Sequence, residues 1–149
     1  MRAVIQRVTS AKVEVGEETV GNIGPGFLVL LGVRKDDSAA DVDYIADKLV
    51  NLRIFEDAEG KLNLSLLETG GAALIVSQFT LYGDARKGRR PGFSDAAGGD
   101  DARELYEAVC EKVARAGVKV ERGRFAADMQ VSLVNDGPVT LLVDSRREF

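Results

Sequence analysis

The chain has 149 residues, of which 45% are hydrophobic and 30% charged, and its formal net charge is −4. This length and composition are ordinary for one globular unit, so we expect a single domain over residues 1–149. No apolar run approaches the roughly 20 residues of a membrane-spanning helix, and the first residues reach charge too soon for a signal peptide. We therefore expect no membrane partner.

The chain contains no histidine and a single cysteine, Cys110. The lack of histidine excludes Ser-His-Asp triads, Cys-His dyads and the common histidine-containing zinc sites. Any catalysis must use carboxylates, lysine, tyrosine, hydroxyls, backbone dipoles or the substrate itself. One cysteine cannot form an internal disulfide, which predicts that the protein is located in the reducing cytoplasm.

The first half of the chain is predicted to be rich in strands. Residues 3–8 and 11–15 are β-branched and partly alternating, and residues 27–33 form an apolar run typical of a buried central strand. A helix should begin after Ser38 as N-cap, because the apolar residues that follow have helical spacing. Residues 53–55 and 72–81 are predicted as further strands.

In the second half, residues 86–100 are predicted to form an exposed loop rich in glycine and charge. A second helix should start at Asp100 or Asp101, with Asp101 and Glu104 spaced as a capping box, and should stop at Gly117. Two strands, 129–134 and 139–143, should be hinged at residues 135–138. Together these elements predict an α+β fold, a barrel-like antiparallel or mixed β-sheet with two main helices packed outside.

Cys110 and the acidic pairs can each be interpreted as a functional group or as a structural one. Cys110 lies on the apolar stripe of the second helix, which favours a core thiol over a nucleophile. Asp36-Asp37 and Asp100-Asp101 lie at helix starts, which favours capping over metal binding. We expect no metal site and no cofactor.

The positive charge of the chain is concentrated in one short segment. Four cations fall within five residues: Arg86, Lys87, Arg89 and Arg90. They form either a solvated loop or a contact for phosphates, and the sequence leaves both open. The net negative charge argues against broad nucleic-acid binding, and no DNA partner is expected.

Two short polar segments stand out against the strand pattern. Ser77-Gln78-Phe79-Thr80 interrupts the end of an apolar strand, where backbone amides, a carboxamide and hydroxyls can face a bound carbonyl. An ordinary strand end explains the same residues equally well. Asn135-Asp136-Gly137-Pro138 consists of turn formers, and general frequencies favour a trans proline in a plain hairpin turn.

Taken together, these two segments are similar to the signature of the D-aminoacyl-tRNA deacylase family. Residues 5–8, 29–33, 53–55 and 123–129 resemble the same family, in the same order. The resemblance implies a homodimer of barrel-like subunits whose active sites lie at the subunit interface. It also implies hydrolysis of the ester between a D-amino acid and the 3′ end of tRNA, a chiral proofreading step in translation.

The resemblance implies a role for each of ten residues. The Gly137–Pro138 bond is expected to be cis and to enter the partner's active site, where it rejects L-amino acids. Arg7 should support this segment from its own or the neighbouring subunit. The opposite, catalytic wall would comprise Ser77, Gln78, Phe79 and Thr80. The terminal adenosine would be held by Phe125, Ala126 and Met129.

In this scheme the ester is activated by a neighbouring ribose hydroxyl, and backbone amides near Phe79 and Thr80 stabilise the oxyanion. Thr80 is the one hydroxyl kept as a possible direct participant. Because glycine has no side chain to exclude, glycyl-tRNA should also be cleaved. The alternatives are a module that binds an RNA end without chemistry, and a structural dimer in which Gly137-Pro138 is only an interface turn.

Overall fold

The computed structural model describes residues 1–149. Its strands are β1 (Arg2–Val15), β2 (Glu18–Ile23), β3 (Gly26–Gly32), β4 (Phe55–Glu56), β5 (Leu62–Leu64), β6 (Ala72–Ser77), β7 (Lys119–Arg122) and β8 (Gln130–Asp144). Its helices are α1 (Ala39–Asn51), α2 (Leu66–Thr69), α3 (Gly99–Arg115) and a 3-10 turn (Phe79–Tyr82). None of the helices has the length and apolar composition that crossing a membrane requires.

The long strand β1 organises the sheet. One edge of β1 pairs with β8 along its length, and the other edge pairs with β3 and then β2, all antiparallel. Beyond β3, strands β6 and β7 continue the sheet in parallel. The sheet curls until β2 lies against β7, and a Cβ placed on Gly21 would lie 2.7 Å from the Arg122 carbonyl oxygen. This nearly closed mixed sheet confirms the predicted barrel-like α+β fold.

Apolar side chains are buried on both faces of the sheet. One face packs against α1 and α3, which lie side by side, and it contributes residues such as Ile5, Phe27 and Ile75. The inner face of the curl has a smaller core that includes Val13, Leu28 and Leu74. Strands β3 and β6 therefore supply alternate side chains to two cores, which explains their nearly unbroken apolar sequences.

The predicted helix boundaries are partly correct. Ser38 is the N-cap of α1, as predicted, and its N–H is bound by the Asp41 carboxylate at 2.8 Å. Helix α3 begins earlier than predicted, with Gly98 as N-cap, and the proposed capping box is wrong. The reason is Gly99, whose φ of 56° turns the chain into the helix before Asp101. At the other end, α3 stops at Arg115 and Gly117 has a φ of 106°, as expected of a helix stop.

Several predicted strand boundaries are wrong. Strand β6 ends at Ser77, and the chain turns because the N–H of Leu81 donates to the Gln78 carbonyl at 3.3 Å. The predicted short strand at 53–55 lies instead at Phe55–Glu56. The two strands predicted at the start of the chain are one strand, β1, and the two predicted at its end are one strand, β8. Each remains continuous because the two pair with each other over most of their length.

A candidate active-site pocket

A cavity with a volume of about 660 Å³ lies where the carboxyl ends of β3 and β6 meet the start of α3. The carboxyl ends of parallel strands are a common place for ligand binding. It is lined by Val33, Val76, Ser77, Gln78, Phe79, Phe93, Ala96, Ala97, Gly98, Gly99, Ala102, Phe125, Ala126, Ala127, Met129 and Val131. None of these side chains is charged, so the cavity offers no side-chain general acid or base.

One wall of the cavity is the segment that follows β6. The N–H of Gln78 donates to the Leu31 carbonyl at 2.8 Å, which fixes the wall to the end of β3. A Cβ on Gly32 would lie only 3.0 Å from the Gln78 carbonyl oxygen, so this glycine lets the wall approach the sheet. The Gln78 carboxamide donates to the Thr80 hydroxyl, and Thr80 itself lies outside the cavity lining.

The 3-10 turn leaves two backbone donors free at its start. Its first hydrogen bond comes from Leu81, so the N–H groups of Phe79 and Thr80 have no partner within the turn. The Phe79 side chain is 54% exposed and meets the Phe93 ring edge-on at a centroid distance of 5.1 Å. The Phe79 amide and ring therefore border the cavity, and the Thr80 amide lies next to them, without a partner for either amide inside the turn.

The opposite wall is the turn between β7 and β8. Ala126 has a φ of 60°, a left-handed conformation uncommon for a residue with a side chain, and it directs this turn along the cavity. The Phe125 ring packs between Tyr106, at a centroid distance of 5.9 Å, and the Arg103 guanidinium, 5.0 Å from its centroid. The Met129 side chain packs against Gly123: a Cβ added to Gly123 would lie only 2.9 Å from the Met129 sulfur.

The structure thus brings together six of the ten residues named from the sequence. Ser77, Gln78 and Phe79 lie on one wall, and Phe125, Ala126 and Met129 on the other. The exceptions are Thr80 beside the cavity, and Arg7, Gly137 and Pro138 elsewhere. Sequence reasoning missed Phe93 and residues 96–99, which it assigned to a solvent-exposed loop, although a hydrogen bond from Ala97 N–H to the Val33 carbonyl (2.9 Å) fixes that loop to β3.

Gly137 and Pro138 form a bulge within β8 rather than a hairpin turn. Val8 pairs with Asn135 and Gln6 with Thr140, so residues 136–139 of β8 lie opposite the single residue Arg7. The Asn135 side chain bridges the bulge by accepting from Val139 N–H at 2.9 Å and donating to the Thr140 hydroxyl at 3.0 Å. The Gly137–Pro138 peptide bond is cis, as the resemblance implied. These features define what we call the Gly-Pro bulge, residues 136–139.

Arg7 supports the Gly-Pro bulge of its own subunit. Its side chain is almost fully buried, at 6% exposure, and its Nε donates to the Asp136 carbonyl at 3.1 Å. Its Nη1 donates to the Ile54 carbonyl at 2.8 Å. A Cβ on Gly137 would lie 2.8 Å from the Val139 side chain and 3.2 Å from Arg7 Nη2. The bulge is therefore tightly held and accepts only glycine at position 137.

The Gly-Pro bulge and the pocket are far apart in one subunit. Arg7 pairs with Phe27, and Phe27 with Ala73, which precedes Ser77 by four residues on β6. With about 3.3 Å per residue and 4.8 Å between strands, Ser77 lies roughly 13 Å along the sheet and 14 Å across it from the bulge. The bulge therefore lies well outside the pocket of the same chain.

Cys110 and the acidic pairs have structural surroundings. Cys110 is fully buried, as predicted, and burial raises the pKa of its thiol to about 11. Asp36 pairs with Arg146 at 2.7 Å, and the buried Asp37 binds the Met1 amino group at 2.9 Å and the Arg34 N–H at 2.6 Å. Asp37 thus closes a turn rather than capping α1. Asp100 and Asp101 lie in the first turn of α3, where the helix dipole favours negative charge.

Comparisons with known proteins give a consistent result. The family model described as D-Tyr-tRNA(Tyr) deacylase matches residues 4–144. The D-aminoacyl-tRNA deacylase of Anaeromyxobacter dehalogenans (strain 2CP-C) is 63% identical over 149 residues, covering all of both chains. The D-aminoacyl-tRNA deacylase of Clostridioides difficile (strain 630) is 60% identical, again over both full lengths.

Solved structures extend the similarity to the fold. A structure titled c-Myc DNA Unwinding Element Binding Protein has a TM-score of 0.91 and 39% identity, covering 97% of this chain and 98% of the other. A probable eukaryotic D-amino acid tRNA deacylase has a TM-score of 0.82 over 95% and 97% of the two chains. Its identity is only 21%, so that second match shows the fold alone.

Proposed function

Because this chain belongs to the D-aminoacyl-tRNA deacylase family, we propose that it hydrolyses the ester between a D-amino acid and tRNA in the pocket described above. The whole of residues 1–149 acts as one deacylase domain in the cytoplasm, where a buried free thiol such as Cys110 stays reduced. The observation that carries the proposal is the uncharged cavity with the unused Phe79 amide on its wall and the unused Thr80 amide beside it.

The pocket supports a reaction without side-chain acid–base chemistry. Water adds to the ester carbonyl, the carbonyl oxygen becomes an oxyanion, and the bond to the ribose oxygen then breaks to release the amino acid and tRNA. The N–H groups of Phe79 and Thr80 stabilise the oxyanion. The neighbouring ribose hydroxyl orients the attacking water and relays one of its protons to the ribose oxygen that leaves. Phe125, Ala126 and Met129 hold the terminal adenosine against the other wall.

We propose that the Gly-Pro bulge completes the pocket of a second subunit. The distance of the bulge from its own pocket supports this arrangement, since a rigidly held loop there has no ligand to contact within the subunit. An apolar row on the sheet also supports a dimer: Val4 pairs with both Leu30 and Leu142, and Leu142 is 61% exposed. A second copy of the chain covers such a surface.

In the dimer, the bulge selects chirality by exclusion. Gly137 has no Cβ, and buried Arg7 fixes the bulge, so an L side chain meets backbone that does not yield. A D side chain points away from the bulge, which permits broad selectivity among D-amino acids. Glycyl-tRNA has no side chain to exclude and is cleaved as well.

The central test is hydrolysis of matched D- and L-tyrosyl-tRNA, with glycyl-tRNA as a third substrate. We expect cleavage of the D and glycyl esters and at least a hundredfold slower cleavage of the L ester. Comparable rates for D and L would contradict the proposed selectivity. Protection of all three esters would instead indicate a module that binds the RNA end without chemistry.

A heterodimer tests whether the bulge acts across the interface. One tagged subunit carries Phe79→Pro, which removes a wall amide, and the other carries Gly137→Ala, which displaces the bulge. In the purified heterodimer, the intact wall of one subunit faces the intact bulge of the other, so D/L discrimination returns at that single site. If the bulge acts within its own subunit, the heterodimer keeps the poor discrimination of Gly137→Ala.

The Gly137→Ala homodimer separates selectivity from assembly. We expect it to remain dimeric and to discriminate poorly, because the new Cβ displaces the bulge without removing apolar surface. Gly16→Ala is the matched control, since Gly16 also has positive φ, at 59°, but has open space around it. Dissociation of Gly137→Ala into monomers with unchanged discrimination would indicate that the bulge is only an interface turn.

A further inference from the structure

The segment between the 3-10 turn and Phe93 forms a short hairpin at the rim of the pocket. Its base is closed by a pair of backbone hydrogen bonds, from Asp84 N–H to the Gly92 carbonyl at 2.7 Å and from Gly92 N–H to the Asp84 carbonyl at 2.9 Å. Gly88 is at its tip, with a φ of 74°. We call residues 84–92 the basic hairpin.

Three of the four cations in the basic hairpin are unpaired. The Arg86 guanidinium binds the Asp84 carboxylate at 2.7 Å, and this contact lowers the pKa of Asp84 below its ordinary value. Lys87, Arg89 and Arg90 are exposed and have no carboxylate within 4 Å. Many exposed cations elsewhere are paired, for example Lys61 with Glu59 at 3.1 Å. The hairpin therefore presents uncompensated positive charge in a chain of net charge −4.

The basic hairpin is anchored to the pocket at both ends. It begins directly after the 3-10 turn, and Phe93 at its other end lines the cavity and packs on Phe79. A Cβ on Gly83 would lie 3.1 Å from the Phe93 ring, which shows how closely the two ends approach. The tip, Gly88, lies four positions along the chain from each end, so the arms extend at most about 13 Å from the rim. At about 3.4 Å per phosphate, this length corresponds to roughly four nucleotides of a stacked strand.

The pocket needs a second element to hold a polyanion. Its lining is uncharged and suits an amino acid and a nucleoside, but it offers no counter-charge for the phosphates that precede the terminal nucleotide. Arginine and lysine side chains are the usual partners of such phosphates, and they bind without reading base sequence. The unpaired cations next to the pocket are in the right place for this contact.

We propose that Lys87, Arg89 and Arg90 bind backbone phosphates of the tRNA acceptor end while its terminal nucleoside occupies the pocket. The proposal rests on the proposed function for its ligand. The contact supplies affinity that does not depend on tRNA sequence, which suits an enzyme that must accept many tRNAs.

The test compares two triple variants that lose the same positive charge. K87A/R89A/R90A removes the unpaired cations of the hairpin. K61A/R115A/K119A is the control, because none of these exposed cations lines the pocket: Lys61 precedes β5, Arg115 ends α3 and Lys119 begins β7. Each is assayed on full-length D-tyrosyl-tRNA and on D-tyrosyl-adenosine, and thermal unfolding checks that both variants are folded.

We expect the hairpin variant to raise KM for D-tyrosyl-tRNA about tenfold to a hundredfold at 0.1 M salt, with kcat within about twofold. The slope of log KM against log salt concentration should be lower by about 2 in this variant than in wild type. Each phosphate contact on a single strand contributes about 0.7 to this slope, and the variant loses three contacts. Hydrolysis of D-tyrosyl-adenosine, which has no such phosphates, should be unchanged. The control variant should behave as wild type on both substrates.

Equal KM values and equal salt slopes for the two variants on full-length tRNA would overturn the proposal. So would an equal loss on D-tyrosyl-adenosine, which would mean that the hairpin only shapes the pocket. Binding of uncharged tRNA is measured in parallel. Weaker binding by the hairpin variant than by the control variant would support the phosphate contact even if wild type hydrolyses neither ester, and equal binding would contradict it.

Discussion

The pocket wall at residues 77–80 and the Gly-Pro bulge both interrupt the edge of regular structure, but their surroundings differ. The wall borders a cavity of about 660 Å³ in its own subunit and leaves backbone amides unused. The bulge lies away from that cavity and is held by a buried arginine that donates to its Asp136 carbonyl. The wall therefore has hydrogen-bond donors available for a ligand in the cavity, whereas the contacts of the bulge fix its conformation.

This difference suggests that two separate parts of the molecule control the rate of hydrolysis and the selectivity between D and L substrates. In the proposed mechanism, amides on the wall act on the ester carbonyl of every substrate and so set the rate for D-aminoacyl and glycyl esters alike. The bulge, supplied in that proposal by a second subunit, acts only on the side chain at the α-carbon. Damage to the wall should lower all rates together, and damage to the bulge should change their ratio.

The largest effect is expected from removing a wall amide. Phe79 is the first residue of the 3-10 turn, where proline fits because its φ is suitable and the N–H has no partner in the turn. Phe79→Pro should lower kcat about 10²- to 10³-fold for D-aminoacyl and glycyl esters alike. Single-turnover hydrolysis measures this.

Phe79→Ala is the matched control for that change. It removes the ring, which is 54% exposed and contacts Phe93, but keeps the N–H. It should therefore affect KM more than kcat. If the alanine and proline variants lose kcat equally, the aromatic ring rather than the amide is the active feature of the wall.

A smaller effect, confined to selectivity and stability, is expected at Arg7. Arg7→Ala leaves the buried Ile54 carbonyl and the partly buried Asp136 carbonyl without their donor, which should cost about 2–4 kcal/mol of unfolding free energy. The loosened bulge should then admit L substrates, lowering the D/L ratio about tenfold while kcat for the D ester changes little. Urea unfolding and paired D and L assays measure the two effects.

Arg7→Lys is informative beside the alanine variant. It keeps the charge but cannot bind two carbonyls with a planar fork, so it should recover part of the stability and little of the selectivity. Full recovery of the D/L ratio by lysine would mean that charge, rather than the position of the bulge, determines selectivity.

The location of the pocket could be predicted from the sequence only in part. The resemblance names Ser77 to Phe79 on one wall and Phe125, Ala126 and Met129 on the other, but their meeting depends on β6 and β7 being parallel neighbours. Strand β7 is four residues long and its pattern is too weak to predict. Arg103 was missed because nothing local marks a helical arginine that covers an aromatic ring from another segment.

The errors at strand ends have a common physical cause. Phe79, Leu81 and Tyr82 favour strands by intrinsic preference, yet they form a 3-10 turn because Gly32 on the neighbouring strand leaves room for it. Similarly, Asn135 to Pro138 have the composition of a hairpin turn, but pairing with β1 on both sides makes them a bulge. In both places a partner distant in sequence decides the outcome, so local patterns cannot.

The smallest predicted effect concerns Cys110, which lies behind the pocket wall and has no part in the proposed chemistry. Burial raises the pKa of its thiol from the ordinary 9.0 to about 11. The folded chain thus keeps the thiol protonated while the unfolded chain ionises above pH 9. The resulting stabilisation is fully present below pH 9 and is lost as the pH rises through 11, by about 2 kcal/mol.

Cys110→Ala removes this dependence. The difference in unfolding free energy between wild type and variant should shrink by about 2 kcal/mol between pH 8 and pH 11, measured by urea unfolding. Deacylation at pH 7.5 should be within twofold of wild type, because two wall amides and the substrate hydroxyl carry the reaction. A large loss of kcat in a folded Cys110→Ala variant would instead indicate that the thiol takes part in the reaction. Catalysis could then not be assigned to the backbone amides of the wall alone.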